Sequence, residues 1–257
     1  MERDIFTELF ADPSSLLVFA LIGFAAQMVD GALGMAFGQI SSTLLISTGV
    51  PPAAASAGVH TAETFTTAVS AISHVAHRNV DWRLFFRLVI PGVVGGVIGA
   101  YVLTIGADQA KPFVLIYLTA LGLYLFYRGI MHRHTEQRPR IVAPLGLVGG
   151  FLDAAGGGGW GAIVTSNLLV QGSNPRKTIG TVNTAEFFLT VTISATFILT
   201  MGLKAFTTAT LGLLIGGVLA APFGATIAKR VNPDTLLTFV GALLTLVSMY
   251  GLYKALA

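Results

Sequence analysis

Asp30-Gly31-Ala32-Leu33-Gly34, running on through Pro52 to Thr61-Ala62-Glu63-Thr64-Phe65, is spelled again 123 positions later. The second copy reads Asp153-Ala154-Ala155-Gly156-Gly157, then Pro175, then Thr184-Ala185-Glu186-Phe187-Phe188, and no gap is needed to align the two. Coincidence in so apolar a chain would match Ala, Leu and Gly. Here Asp, Glu, Thr, Pro and Phe recur as well, so the chain reads as a duplicated unit. The duplicated stretch also holds acids set deep within apolar segments. A membrane protein that repeats its buried polar residues points to a transport site between the two copies.

Composition excludes a soluble domain. Apolar residues make up 54% of the 257, charged residues 11%, and mean hydropathy is +0.77. From Ser14 to Val75 the only fully charged side chains are Asp30 and Glu63, in a run about three times the roughly 20 residues that span a bilayer. The net charge of +3 comes from Lys and Arg in short loops, the pattern of a positive-inside signal rather than of nucleic-acid binding. With no cysteine, disulfides, thiolate metal sites and thiol redox switches are excluded. The start of the chain carries Glu2, Asp4, Glu8 and Asp12 against Arg3 alone. A cleaved secretory signal needs a basic start, so the first span is expected to be retained.

Apolar segments are expected at 14–29, 33–48, 53–76, 84–105, 112–130, 142–153, 157–171, 178–201, 205–228 and 235–254. The first two, and the pair 142–153 and 157–171, are short and meet at a glycine-rich stretch following an Asp. Each pair therefore reads as a broken or re-entrant helical hairpin that enters the membrane and returns to the same face. The other six segments read as transmembrane helices. The expected fold is an all-α integral membrane protein of two inverted repeats, each one such hairpin plus three transmembrane helices. Residues 1–130 form the first repeat, 131–140 a polar cytoplasmic linker, and 141–257 the second repeat.

Charge supports that topology. With the linker in the cytoplasm, Arg78, Arg83, Arg87, Arg128, Arg133, Arg138, Arg140, Arg176, Lys177, Lys229 and Arg230 all fall inside. Arg3, Lys111, Lys204 and Lys254 fall outside. The bias has the sign that membrane insertion requires, and it predicts a multi-pass protein of the cell inner membrane.

Glu63 and Glu186 lie near the middle of their helices, where a carboxylate must be paired, hydrated or protonated and generally faces a cavity. His60, Thr61 and Thr64 lie within one turn of Glu63, and Asn183 and Thr184 within one turn of Glu186. Glu63, Glu186 and His60 are the candidates for proton coupling. The plain alternative is a pair of protonated glutamates that hydrogen-bond helices together.

The hairpin turns are the candidate substrate site, because a helix beginning in mid-membrane presents free N–H groups that suit an anion. The residues expected to line it are Gly34, Gly38, Ser41, Ser42, Thr61, Gly157, Gly158, Trp160, Thr165, Asn167, Asn183 and Thr184. Glycine as plain helix-packing surface is the competing reading. His74 and His77 lack a third ligand, and His60-x-x-Glu63 lacks the second histidine of a zinc-protease helix. No metal or cofactor is expected.

The Asp-Gly-rich entries, the Pro-Pro step at 51–52 with Asn-Pro at 174–175, and the Thr-Ala-Glu runs that follow resemble the TauE/SafE family of sulfite exporters. The likeness covers nearly all of the chain after residue 13. It implies a duplicated membrane transporter for sulfite, sulfonates or related small anions. The partners expected are therefore a small anionic substrate, protons and the lipid bilayer. Two rivals stand beside a proton-coupled secondary transporter: an anion channel with a fixed pore, and an intramembrane enzyme using His60 and Glu63.

Overall fold

The computed structural model describes residues 13–33, 35–131, 139–171, 173–202, 207–228 and 233–256. The acidic start, Gly34 and most of the 131–140 linker lie outside the described residues. Those described are almost entirely helical: α1 Pro13–Leu33, α2 Phe37–Ser47, α3 Pro52–Ala76, α4 Trp82–Ile105 and α5 Ala107–Ile130 come from the first repeat. The second gives α6 Ala143–Gly156, a π-helical turn Gly161–Thr165 running into α7 Ser166–Val170, then α8 Pro175–Met201, α9 Thr208–Ala228 and α10 Pro233–Leu256. Each helix of the second repeat overlays one of the first at the same offset as the sequence repeat.

Local chemistry explains the boundaries. Asn174 accepts from the Lys177 N–H at 3.1 Å and Pro175 opens α8, a cap followed by a residue that needs no hydrogen-bond acceptor. Asp81 caps α4 by accepting from the N–H groups of Arg83 and Leu84. Among the described residues three helices, Trp82–Ile105, Pro112–Ile130 and Lys177–Met201, are long and apolar enough to cross a membrane. The 25-residue α3 is as long, but a polar stripe lowers its hydropathy.

Two details differ from the sequence reading. The first break falls later than expected, because α1 continues through Asp30 to Leu33 and the chain resumes as helix at Phe37. Ala36 takes φ 97 there, and Asp30 accepts from the Phe37 N–H; the carboxylate bridges the gap only from the end of a helix. The second break runs through Gly157, Gly158 and Gly159, all at positive φ. Beyond it a π-helical turn appears where a plain α-helix was expected, and such turns are frequent at functional sites.

Gln171, at the end of α7, accepts from the N–H groups of Arg140 and Ile141 at 2.9 Å each and donates to the Ile141 carbonyl. The segment that enters at 141 thus returns beside its own entry, and α6–α7 is a hairpin. The same end of the bundle holds Arg78, whose carbonyl accepts from Lys177 Nζ at 2.6 Å, and Arg87, which donates to the Arg140 carbonyl.

Packing pairs the repeats rather than separating them. Helix α1 lies on α9, and α4 on α6, so the fourth helix of each repeat covers the hairpin of the other. Glycines make these contacts: Gly212 and Gly216 meet α1, while Gly92, Gly95 and Gly99 meet α6. For them the packing-surface reading of glycine is correct.

The corresponding helices α3 and α8 also pack together, as do α5 and α10. Thr67 meets Thr190 at 3.5 Å, Ser70 meets Asn183, and Arg78 meets Lys177, so α3 and α8 run antiparallel. Gly122 abuts Thr245 and Phe126 abuts Gly241, so α5 and α10 do as well. In each pair one residue touches its own repeat counterpart.

Gly158 is fixed by both torsion and space. At φ +136 its Cα faces the backbone of Gly38, and an added Cβ would lie against main-chain atoms that have no room to move. Gly158→Ala is expected to lower thermal stability by more than the about 1–3 kcal/mol of torsional strain alone. Gly49→Ala, at φ +102 with nothing within 4 Å, isolates that strain. Equal melting losses for the two variants would refute the close approach.

Candidate anion and proton site

The two hairpin breaks meet at the centre of the bundle. Gly38 on α2 lies against Gly158, and Ser42 donates to the Gly157 carbonyl. Acids occupy the helix starts there. Trp160 N–H donates to Asp153 Oδ1 at 2.8 Å, Phe37 N–H to Asp30, and Gly38 N–H to Glu63. Phe37 and Trp160 are repeat counterparts, as are Asp30 and Asp153, so one device is used twice. A free helix start carries partial positive charge; the protein's own carboxylates already meet it.

Glu63 lies within electrostatic reach of His60, Asp153 and Asp30, and Glu186 within reach of Glu63, Asp30 and Asp153. Asp153 and Glu63 thus flank the His60 imidazole, and Asp30 and Glu186 lie within electrostatic reach of Glu63. Both glutamates are buried, at 5% and 9% exposure. Among the described residues no donor reaches the Glu186 carboxylate, which leaves it without the amide partner that Glu63 has.

His60 is fully buried between two partners. Its Nδ1 lies 2.7 Å from the Ser56 carbonyl and its Nε2 3.0 Å from Asp153 Oδ2. A carbonyl only accepts, so Nδ1 must carry hydrogen. The Nε2 contact then needs one proton, held either by the imidazolium or by the Asp153 acid. The pair shares a single proton across the repeat boundary. Ser56 adds a 2.7 Å bond from its hydroxyl to the Ala154 carbonyl.

Other expected donors divide into two groups. Ser41 and Thr165 are fully buried, and among the described residues their hydroxyls have no partner. Thr43, on the same half-helix, is alike. Thr61 and Thr184 instead donate back to Ala57 and Gly180 one turn earlier, leaving only their lone pairs available. Asn167 donates to Ile163, and Asn183 to Ser70 Oγ. Trp160 is buried and donates its indole N–H to the Val182 carbonyl at 3.2 Å, so it walls the second break. Gly34 lies outside the described residues.

Four contributors escaped the sequence reading. Asp30 and Asp153 served there as landmarks, although an acid in an apolar span was the signal applied to the glutamates. Ser56 stands one turn before His60, a spacing that placed it on the same face. Tyr117 donates to the Gly158 carbonyl at 3.1 Å, and nothing distinguishes it in sequence from an ordinary span tyrosine.

A large apolar cleft of about 830 Å³ between α3, α4 and α8 has Thr184 and Phe187 in its wall. Its lining is otherwise almost wholly apolar, so it offers no path for an anion. Among the described residues no three His, Asp or Glu side chains are arranged so that they could hold one metal ion.

A family profile described as "Sulfite exporter TauE/SafE" matches residues 19–251. The chain is 40% identical over 243 residues to the "Probable membrane transporter protein YtnM" of Bacillus subtilis (strain 168), covering 91% of this chain and 81% of that one. No solved structure matches.

Proposed function

Because the chain belongs to the sulfite exporter TauE/SafE family of membrane transporters, we propose that it is a proton-coupled secondary transporter exporting a small sulfur-containing anion across the cell inner membrane. Sulfite, a sulfonate or a related organosulfonate is the expected cargo. The family and its transporter relative also set the intramembrane enzyme aside.

The repeats are inverted in this reading. Support comes from the antiparallel pairs α3/α8 and α5/α10, each with a contact between counterpart residues, Thr67 with Thr190 and Gly122 with Thr245. A two-fold axis through both contacts runs across the helices, in the plane of the membrane. The cation-rich end at Arg78, Arg87, Arg140 and Lys177 is assigned to the cytoplasm. Both hairpins then enter and leave without crossing, the first from outside and the second from inside.

The observation that carries the function is the Glu63 carboxylate on the Gly38 N–H. That amide lies in the first turn of an 11-residue helix beginning in the protein interior, the place where an anion would be held. Protonation of Glu63 weakens its hold on the amide, and the transported anion takes its place with the free hydroxyls of Ser41 and Thr165. Anion and proton occupancy are thereby linked. Among the described residues the four acids Asp30, Glu63, Asp153 and Glu186 have no countercharge in the cluster besides His60, so protons drawn from either face balance them.

A sulfonate keeps its charge across the neutral range, which makes it the cleaner probe. In proteoliposomes its flux is expected to saturate, to respond to an imposed pH gradient, and to show a lower KM at more acidic pH. Flux linear in concentration and indifferent to the gradient would favour the fixed-pore channel.

A further inference from the structure

The two hairpins share a sequence pattern, yet they are held unequally: from outside itself the first break has Glu63 on the Gly38 N–H and the Ser42 bond to the Gly157 carbonyl. Four bonds from outside the hairpin hold the second break: His60 to Asp153, Ser56 to the Ala154 carbonyl, Tyr117 to the Gly158 carbonyl, and the Trp160 indole to the Val182 carbonyl. Their donors lie on α3, α5 and the hairpin itself, and the Val182 acceptor on α8, so three separate helices grip it. At the corresponding positions of the other half stand Asn183, Ile179, Val240 and Phe37. Three of these have no side-chain donor, and Asn183 turns instead to Ser70. Among the described residues none of the four bonds is repeated at the first break. Burial follows the same division, with Asp153 at 2% exposure and Asp30 only half-buried.

We propose that the hairpins have diverged into a fixed half and a moving half: α6–α7 is a rigid wall, and α1–α2 is the element that shifts to open the site. His60 and Tyr117 are positioning residues for the wall. Elements that move in function come from the less strongly bonded parts of a fold, and here the difference lies in side-chain donors present in one copy and absent from the other. This rests on the transport reading only for the use made of the movement. The inequality of the hairpins is a claim about the protein in its resting state.

Amide hydrogen exchange of the full chain in lipid nanodiscs, with no ligand added, tests it. Residues 35–41 are expected to exchange about tenfold or more faster than residues 158–164. Equal rates, or the reverse order, would overturn the proposal without any variant. The double variant His60→Asn, Tyr117→Phe should raise exchange at 158–164 and leave 35–41 unchanged.

The reciprocal change, Asn183→His, places an imidazole opposite Asp30. It should slow exchange at 35–41 and reduce sulfite flux in proteoliposomes, while His60→Asn added to it should not restore flux. Slowed exchange with undiminished flux would show that the first hairpin is not the transporting element. Absence of sulfite flux in the unaltered protein would count against the substrate assignment and leave the exchange comparison to decide this point.

Discussion

Asp153→Ala is expected to destabilise the protein by about 3–5 kcal/mol, the cost of removing one member of a buried hydrogen-bonded pair. The substitution strips His60 Nε2 of its partner and leaves the Trp160 N–H with no acceptor, both inside a bundle where water does not replace them. Asp153→Asn is the informative control. Its oxygen still accepts from Trp160, and its amide nitrogen donates to a neutral His60 that keeps hydrogen on Nδ1. It should therefore cost within about 1 kcal/mol. Asp30→Ala should also cost less than Asp153→Ala, because Asp30 has only a 3.5 Å contact with Gln27 and one amide to lose. Thermal unfolding in detergent, followed by retention of the monodisperse peak, measures all three. An Asn variant as damaged as the Ala variant would exclude the shared-proton description of the pair.

Paired substitution of Glu63→Gln and Glu186→Gln should abolish the response of flux to a pH gradient while the fold survives. Gln is isosteric and neutral, so it mimics the protonated acid, and its carbonyl still accepts from the Gly38 N–H. The acceleration lost is expected to be about 5- to 150-fold, the usual range of coupling between two linked sites. Glu63→Gln alone should lower the sulfonate KM and flatten its pH dependence, since a charged competitor no longer sits on the amide. Glu186, which holds no amide, should affect proton transfer and leave KM nearly unchanged. Proton-driven flux that persists in the double variant would remove the glutamates from the coupling step.

Much of the architecture was legible because hydrophobic length and glycine placement act locally. Every apolar segment became a helix. In the structure Pro52 opens α3, and Asn174 with Pro175 opens α8 by capping and by the fixed φ of proline. The breaks were legible at Asp30 and Asp153 because a glycine run after a buried acid fits few other structures. The exact end of α1 was not, since Asp30 can sit in a helix or a turn and only its reach to Phe37 N–H selects the helix. The π-helical turn at Gly161–Thr165 had no local signature at all.

The site divided along the same line. Duplication singled out Glu63 and Glu186, and the structure brings Glu186 within electrostatic reach of Glu63, which lies beside His60. It also shows that the helix-start amides reserved for an anion are held by Asp30, Asp153 and Glu63. Repetition could not reveal this, because which carboxylate reaches which amide depends on how two hairpins interdigitate. For the same reason Ser41 and Thr165 keep free hydroxyls while Thr61 and Thr184 do not, although all four read alike as buried polar residues on helices.

Membrane class, duplication, helix list and family were readable along the chain, since these rest on composition, periodicity and chain-local chemistry. Folding in three dimensions sets α1 on α9 and α4 on α6, joins α3 to α8 at Thr67 and Thr190, and bonds side chains of α3 and α5 to the second break. Those outcomes depend on contacts between residues about a hundred positions apart, such as Ser56 with Ala154 and His60 with Asp153. Buried hydrogen bonds act only at van der Waals range, and no pattern along the chain records which groups folding will bring within it.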